Sequence, residues 1–282
     1  MHILITDSGV GGLSVCAYAE RFVRTKGCKE PVRLTFANAA PANDYGYNSM
    51  PARDVKIETF DRFLKNVTKR FAPDFIYVAC NTLSVLLPDV PKPPTPIKGI
   101  VETGVEFIFR ELDPRATAMI FGTQTTIDSG VYPRLLESRG IDASRIVSQA
   151  CPGLADTISE DREGSRTRSE IKRWVDIAIE RLDDAPPVVA CLACTHYGYR
   201  KNLFAGALAD AGICAKVINP NERAVDDLFD AGGGRYRDVE VQFVTRYAIP
   251  HATIEALTFF LSDVSPKTVT AMQNYVHIPD LF

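Results

Sequence analysis

Short apolar runs alternate along the chain with stretches whose apolar residues recur every three or four positions. ILIT (3–6), DFIYVA (74–79), ATAMIFG (116–122), RIVSQA (145–150) and PVVACLA (187–193) read as buried strands, and IKGIV (97–101) begins another. Leu13, Cys16, Ala17 and Ala19 fall on one helical face, and Phe60, Phe63, Leu64, Val67 and Phe71 on a second. LSVLL (83–87), a stretch near 129–138 and a charged stretch near 166–183 complete the helical set. Repeated strand–loop–helix units predict an α/β fold of parallel sheets covered by helices on both faces. PDVPKPPTP (88–96), with five prolines, is the strongest expected boundary, and the cycle restarts beyond it. From about residue 262 the pattern weakens, which suggests a surface helix and an extended end packed on the body or on a partner.

Right-handed crossovers bring the C-terminal ends of such strands to one edge, where ligands bind. Asp7-Ser8, Cys80-Asn81-Thr82, Thr123 and Cys194-Thr195-His196 each follow a predicted strand directly. The chemically capable residues therefore converge on the binding edges of two similar halves.

Composition narrows the possibilities. At 282 residues the chain can hold two modest domains or one large one, and a net charge of −3 with 24% charged residues offers no basic stripe for nucleic acid. No apolar run approaches the roughly 18 residues that span a bilayer. The start, MHILITDSG, goes straight into a strand pattern without a basic n-region or cleavage site, so no signal peptide is expected. Seven cysteines without framework spacing point to reduced thiols and a cytoplasmic location. None of the other three histidines pairs with His196 to complete a zinc set.

DSGVGG (7–12) could cradle a phosphate or a carboxylate, or could be a tight turn with Asp7 or Ser8 as helix cap. It matches neither GxxxxGK[ST] nor GxGxxG, so a nucleotide is not favoured. Cys16, Cys28 and Cys214 read as small buried hydrophobes. Cys191 and Cys194 form a C-x-x-C, but Cys191 lies inside an apolar strand, which disfavours redox or zinc chemistry. An unperturbed thiol has a pKa of about 8.5. A nearby imidazolium, as at His196, would lower it, and a carboxylate such as Asp7 would raise it. One thiolate and one thiol facing each other across a carbon would form a two-base site that inverts its configuration.

DSGVGGLSV (7–15), ACNTLSV (79–85), FGTQTTIDSGVY (121–132), ACPGLAD (150–156) and CLACTHY (191–197), in this order, resemble the glutamate racemases of the aspartate/glutamate racemase superfamily. The resemblance covers roughly residues 3–260. It implies two similar α/β domains related by a pseudo-twofold axis, with the active site in the cleft between them. The expected division is 1–96 plus 209–262 for the first domain, 97–208 for the second and 263–282 for a tail. The strand-like VEVQFVT (239–245) would return to the first sheet. The resemblance makes Cys80 and Cys194 the catalytic acid/bases, assisted by Asp7 and His196 respectively. Ser8, Asn81, Thr82 and Thr195 would bind the α-carboxylate and amino group. Thr123 and Thr126 occupy the Gly-Thr-x-x-Thr positions, and Tyr45-Gly46 matches a pair that contacts the distal carboxylate. It further implies glutamate as substrate, no cofactor, no metal, no nucleic-acid or membrane partner, a homodimer, and D-glutamate for peptidoglycan. Departures cluster at Ala37-Asn38-Ala39-Ala40-Pro41, at Asp44 before Tyr45-Gly46, and at Glu160, one place late. They leave aspartate or hydantoin racemisation, or a catalytically weak amino-acid-binding relative, as alternatives.

Overall fold

The computed structural model describes residues 1–43, 45–182, 186–229 and 233–282. The chain opens with β1 (His2–Asp7), α1 (Leu13–Lys26), β2 (Val32–Asn38), α2 (Arg53–Phe71), β3 (Phe75–Val78), the single turn α3 (Asn81–Ser84) and β4 (Ile97–Gly99). It continues through α4 (Ile100–Glu111), β5 (Thr117–Gly122), α5 (Gln124–Asp128), α6 (Val131–Glu137), β6 (Ile146–Ala150), α7 (Leu154–Glu160), α8 (Ser165–Ile179) and β7 (Val188–Ala193). The last part holds α9 (Lys201–Asp210), β8 (Ala215–Ile218), α10 (Pro220–Arg223), α11 (Val225–Leu228), β9 (Val239–Thr245), α12 (His251–Leu261), α13 (Pro266–Gln273) and β10 (Val276–His277).

These strands form two sheets, ordered β10-β9-β2-β1-β3-β4 and β6-β5-β7-β8, and every pairing between them is parallel. The fold is α/β, as the alternation predicts. The runs β2-β1-β3-β4 and β6-β5-β7-β8 repeat one topology, and β9 and β10 extend only the first. In each run the chain leaves the second position for one neighbour and later returns on the other side. Such a switch opens a crevice at the carboxyl ends of the two strands. Asp7 and Cys80 stand at the crevice of β1 and β3, and Thr123 and Cys194 at that of β5 and β7.

Packing fixes the two sheets against each other. Leu4, Ile76 and Val78 of the first sheet share one hydrophobic cluster with Ala118, Ile120 and Val189 of the second, joined through Val101, Val105 and Ile108 of α4. Each aliphatic side chain of this kind contributes roughly 1.5–3 kcal/mol on full burial. The sheets are thus held by a common core and not by loops alone. β7 alternates between cores: Val189, Cys191 and Ala193 join this cluster, while Val188, Ala190 and Leu192 pack with Phe121, Ile171 and Phe204. The α2 stripe behaves as its spacing predicts, with Phe60, Phe63, Leu64 and Val67 buried. That helix stops at Ala72, whose φ of 42° is left-handed, just before Pro73.

Several expectations are corrected. The proline-rich stretch is not the change of sheet, because β4 beyond it still pairs with β3 and Ile76 N donates to Pro96 O at 2.9 Å. Likewise β8 pairs with β7, so the return to the first sheet comes after Ile218 and not after residue 208. The helix expected near 129–138 is present as α6, and Gly130, whose φ is 62°, sets it off from the short α5 before it. LSVLL is helical only to Ser84, and then closes in a 3-10 turn at Leu87–Asp89. The charged helix is α8, and Asp183 at its expected end lies outside the described residues, as does Asp44. Cys214 is exposed in the turn before β8, whereas Cys16 and Cys28 are buried. The tail is part of the first half: α13 packs on α1 and β9, β10 joins the sheet, and the Phe282 ring lies 5.2 Å from that of Phe63.

Candidate active site

The two crevices face one cavity of about 490 Å³, a size suited to a small ligand. Asp7, Ser8, Gly46, Cys80, Asn81, Thr82, Thr123, Cys194, Thr195 and His196 line it. Two sequence-predicted residues do not. Tyr45 turns outward and is 42% exposed, while Thr126 is buried behind the wall and supports Thr123, with 3.0 Å between their hydroxyl oxygens. Cys80 and Cys194 come from different sheets and are both buried at the same cavity, and all seven cysteines are free thiols.

The DSGVGG segment resolves as a tight turn around its own carboxylate. Asp7 accepts the backbone N–H groups of Gly9 and Gly12 and the Thr195 hydroxyl at 2.8 Å. An external phosphate finds that cradle filled. Ser8 Oγ lies 3.0 Å from Cys80 Sγ. A β-carbon at Gly11 would overlap Thr195 Oγ1 and lie 2.6 Å from His196 Nδ1, so glycine is what allows this turn to press against the Cys194–His196 loop. Across the cleft, Thr82 Oγ1 and Thr123 Oγ1 are 2.8 Å apart and join the two halves. Tyr132 OH donates to Asn81 Oδ1 at 2.7 Å, and Asn81 Nδ2 has no partner.

Electrostatics in the cleft favour neutral thiols. Burial, and then the Asp7 charge, push Cys80 up to about 12, against the opposing hydrogen bonds from Ser8 and Leu83. Burial holds Cys194 well above the ordinary thiol range, with Asp7 and Cys80 adding to it and the His196 backbone N–H opposing. His196 Nδ1 is 4.0 Å from Cys194 Sγ, but burial takes the imidazole down to about 4. A neutral ring cannot lower the thiol's pKa by charge, which corrects that expectation. Asp7 makes its direct bond to Thr195 of the opposite half, and its charge acts on both thiols.

Burial raises Asp7 from 3.8 to about 6. The folded state thus holds this proton more tightly than the unfolded chain, and the associated stability is full below about 3.8 and lost as pH rises through about 6. Asp7→Asn cannot ionise, so relative to the parent its unfolding free energy should climb between those pH values, by up to about 3 kcal/mol. Urea unfolding over a pH series measures this, and parallel profiles for the two proteins would refute it.

The cleft also recruits residues that no strand-end motif reveals. Tyr47, Asn48 and Ser49 follow Gly46, and Tyr247, Ile249, Pro250 and Thr253 follow β9. Tyr247 OH accepts from Asn38 Nδ2 at 3.1 Å, which ties the departed Asn38 segment to the cleft wall. Position just past VEVQFVT was the available signal for the Tyr247 group. Asp156, Ser159 and Glu160 project from α7, and Glu160 lies 3.8 Å from Arg166. No lysine or arginine is among the described lining residues. Among the described residues no cluster of three or more His, Cys, Asp or Glu is arranged to hold a metal ion, and no helix is long and apolar enough to cross a membrane.

No family model matches the chain. It is 29% identical over 216 residues to the glutamate racemase of Aquifex pyrophilus, covering 76% of this chain and 78% of that one. With the glutamate racemase of Nitratiruptor it shares 28% over 232 residues, 81% and 83% of the two chains. In fold it matches the crystal structure of a glutamate racemase isoform from Bacillus anthracis with a TM-score of 0.73, covering 92% and 93% at 20% identity. Along most of its length, in sequence and in fold, this chain resembles the glutamate racemases.

Proposed function

We propose that the protein is a cofactor-independent amino-acid racemase, an isomerase that interconverts L- and D-glutamate with Cys80 and Cys194 as opposed acid/bases. The observation that carries this reading is the pair of free buried thiols, one from each sheet, at a single cavity. The likeness to glutamate racemases supports the substrate.

The chemistry follows from the surroundings. An ammonium about 4 Å from a thiolate favours it by about 4 kcal/mol at an effective dielectric of about 20. That is comparable with the burial cost that lifts Cys80 to about 12, so the substrate's own amino group activates the base. Thr195 spends its proton on Asp7 and keeps lone pairs for that ammonium. Asn81 Nδ2, which has no protein partner, suits the α-carboxylate, whose negative charge grows as the α-proton leaves. One sulfur takes that proton and the other returns one from the opposite face. Each turnover leaves the two sulfurs with exchanged protonation. The Asp7 carboxylate, at about 6, and the neutral His196 are the adjacent groups that reset them.

With no lysine or arginine among the described lining residues, the distal carboxylate depends on neutral donors. Gly46 and Asn48 of the first half are at hand for it. The same proposal carries a cytoplasmic homodimer whose D-glutamate enters peptidoglycan, on the strength of the family likeness. Turnover of both enantiomers of glutamate and aspartate is the test. Glutamate racemisation well above that of aspartate is expected. Preference for aspartate would overturn the substrate, and thermal stabilisation by glutamate without racemisation would overturn the activity.

A further inference from the structure

The second catalytic loop rests on a buried asparagine to which the reaction so far gives no role. Asn221, in α10, has no exposed surface. Its Nδ2 donates to the Thr195 carbonyl at 2.9 Å and to Ser14 Oγ at 2.8 Å. A carbonyl can only accept, so the first bond fixes the orientation of the amide. Ser14 Oγ in turn donates to the Gly11 carbonyl at 3.0 Å, which also accepts Tyr199 OH at 3.1 Å. Gly11 belongs to the turn that carries Asp7 and Ser8, and Ser14 to the first turn of α1 that follows it, while Thr195 and Tyr199 belong to the segment that carries Cys194 and His196. One side chain therefore ties the two catalytic segments together from beneath. Its foundation is firm: Asn219 Oδ1 accepts Asn221 N at 3.1 Å, and a β-carbon at Gly198 would overlap the Asn219 amide. Asn221 Oδ1 is buried without a partner. A buried acceptor left unpaired is destabilising, so what the amide offers at this position is its two donors.

We propose that Asn221 is a positioning residue of the two-thiol reaction, holding the Thr195–His196 peptide, and Cys194 beside it, at a fixed spacing from the Asp7–Gly12 turn. The inference rests on the reading of Cys80 and Cys194 as opposed acid/bases. Asn221→Ala frees the Cys194 side and leaves the Ser8–Cys80 contact in place. The kcat for glutamate should fall on the order of 10- to 100-fold, with KM changed by less than about threefold. A racemisation has an equilibrium constant of one, so kcat/KM falls equally in both directions, and the asymmetry appears in isotope exchange. In deuterated water, the enantiomer deprotonated by Cys80 returns to substrate before a displaced Cys194 completes inversion. It should gain solvent deuterium in its unreacted pool, and the other enantiomer should not. Ser14→Ala, which removes only the anchor in the first half, should give the same one-sided exchange with a smaller loss.

Circular dichroism identifies which variants fold. Parent-like kcat, a change confined to KM, or equal exchange in the two enantiomers overturns the proposal. If the parent does not racemise glutamate, or turnover survives Cys80→Ser, the two-thiol reading fails and this inference with it. Dependence on both thiols beside a parent-like Asn221→Ala defeats this inference alone.

Discussion

Replacing Cys80 or Cys194 by serine should lower glutamate racemisation on the order of 10²- to 10⁴-fold, the range carried by a positioned acid or base. Inversion needs one group to remove a proton and another to deliver one, and neither sulfur can act from both faces. A hydroxyl ionises far less readily than a thiol, and the cleft already penalises charge: burial alone is the largest cause of the shift at both cysteines. Serine fits the space, so thermal unfolding should change little while turnover collapses. Polarimetry from each enantiomer measures the rate. A serine variant with near-parental turnover at either position would remove that cysteine from the mechanism.

Gly11→Ala should be nearly as damaging without touching a reacting atom. The added carbon would meet three atoms of the Cys194–His196 loop at once: Thr195 Oγ1, His196 Nδ1 at 2.6 Å and His196 Cε1 at 2.8 Å. None can yield freely, because Thr195 is bonded to Asp7 and its carbonyl to Asn221. Displacing the loop by about 1 Å is enough to cost on the order of 10²-fold in kcat. Overpacking should also lower the unfolding free energy by about 1–3 kcal/mol. Steady-state kinetics and urea denaturation read the two effects separately. Unchanged kcat in a folded Gly11→Ala protein would mean that the turn does not set the position of the loop.

Those three positions show what the sequence could and could not convey. Cys80 and Cys194 were legible because each follows an apolar run that had to be a strand, and parallel topology sends strand ends to one edge. Gly11 was legible as a turn glycine, but the loop that it presses against lies more than 180 residues away along the chain. The same distance hid the Asp7–Thr195 bond, which crosses from one sheet to the other. β8 was missed because AKVI is short and half exposed at a sheet edge, so its pattern carries little burial signal. β4 was misassigned because prolines mark a turn of the chain and say nothing about which sheet receives the next strand. The charge state of His196 could not be read either. It depends on how much protein surrounds the ring, and that burial takes it down to about 4.

Everything turns on whether two sulfur atoms from separate sheets address one stereocentre. A crystal structure with glutamate bound answers this directly. The account predicts Sγ of Cys80 and Sγ of Cys194 on opposite sides of the α-carbon, each about 3.5 Å from it. Glutamate seated with both sulfurs on one side, or with its α-carbon beyond the reach of either, would contradict it.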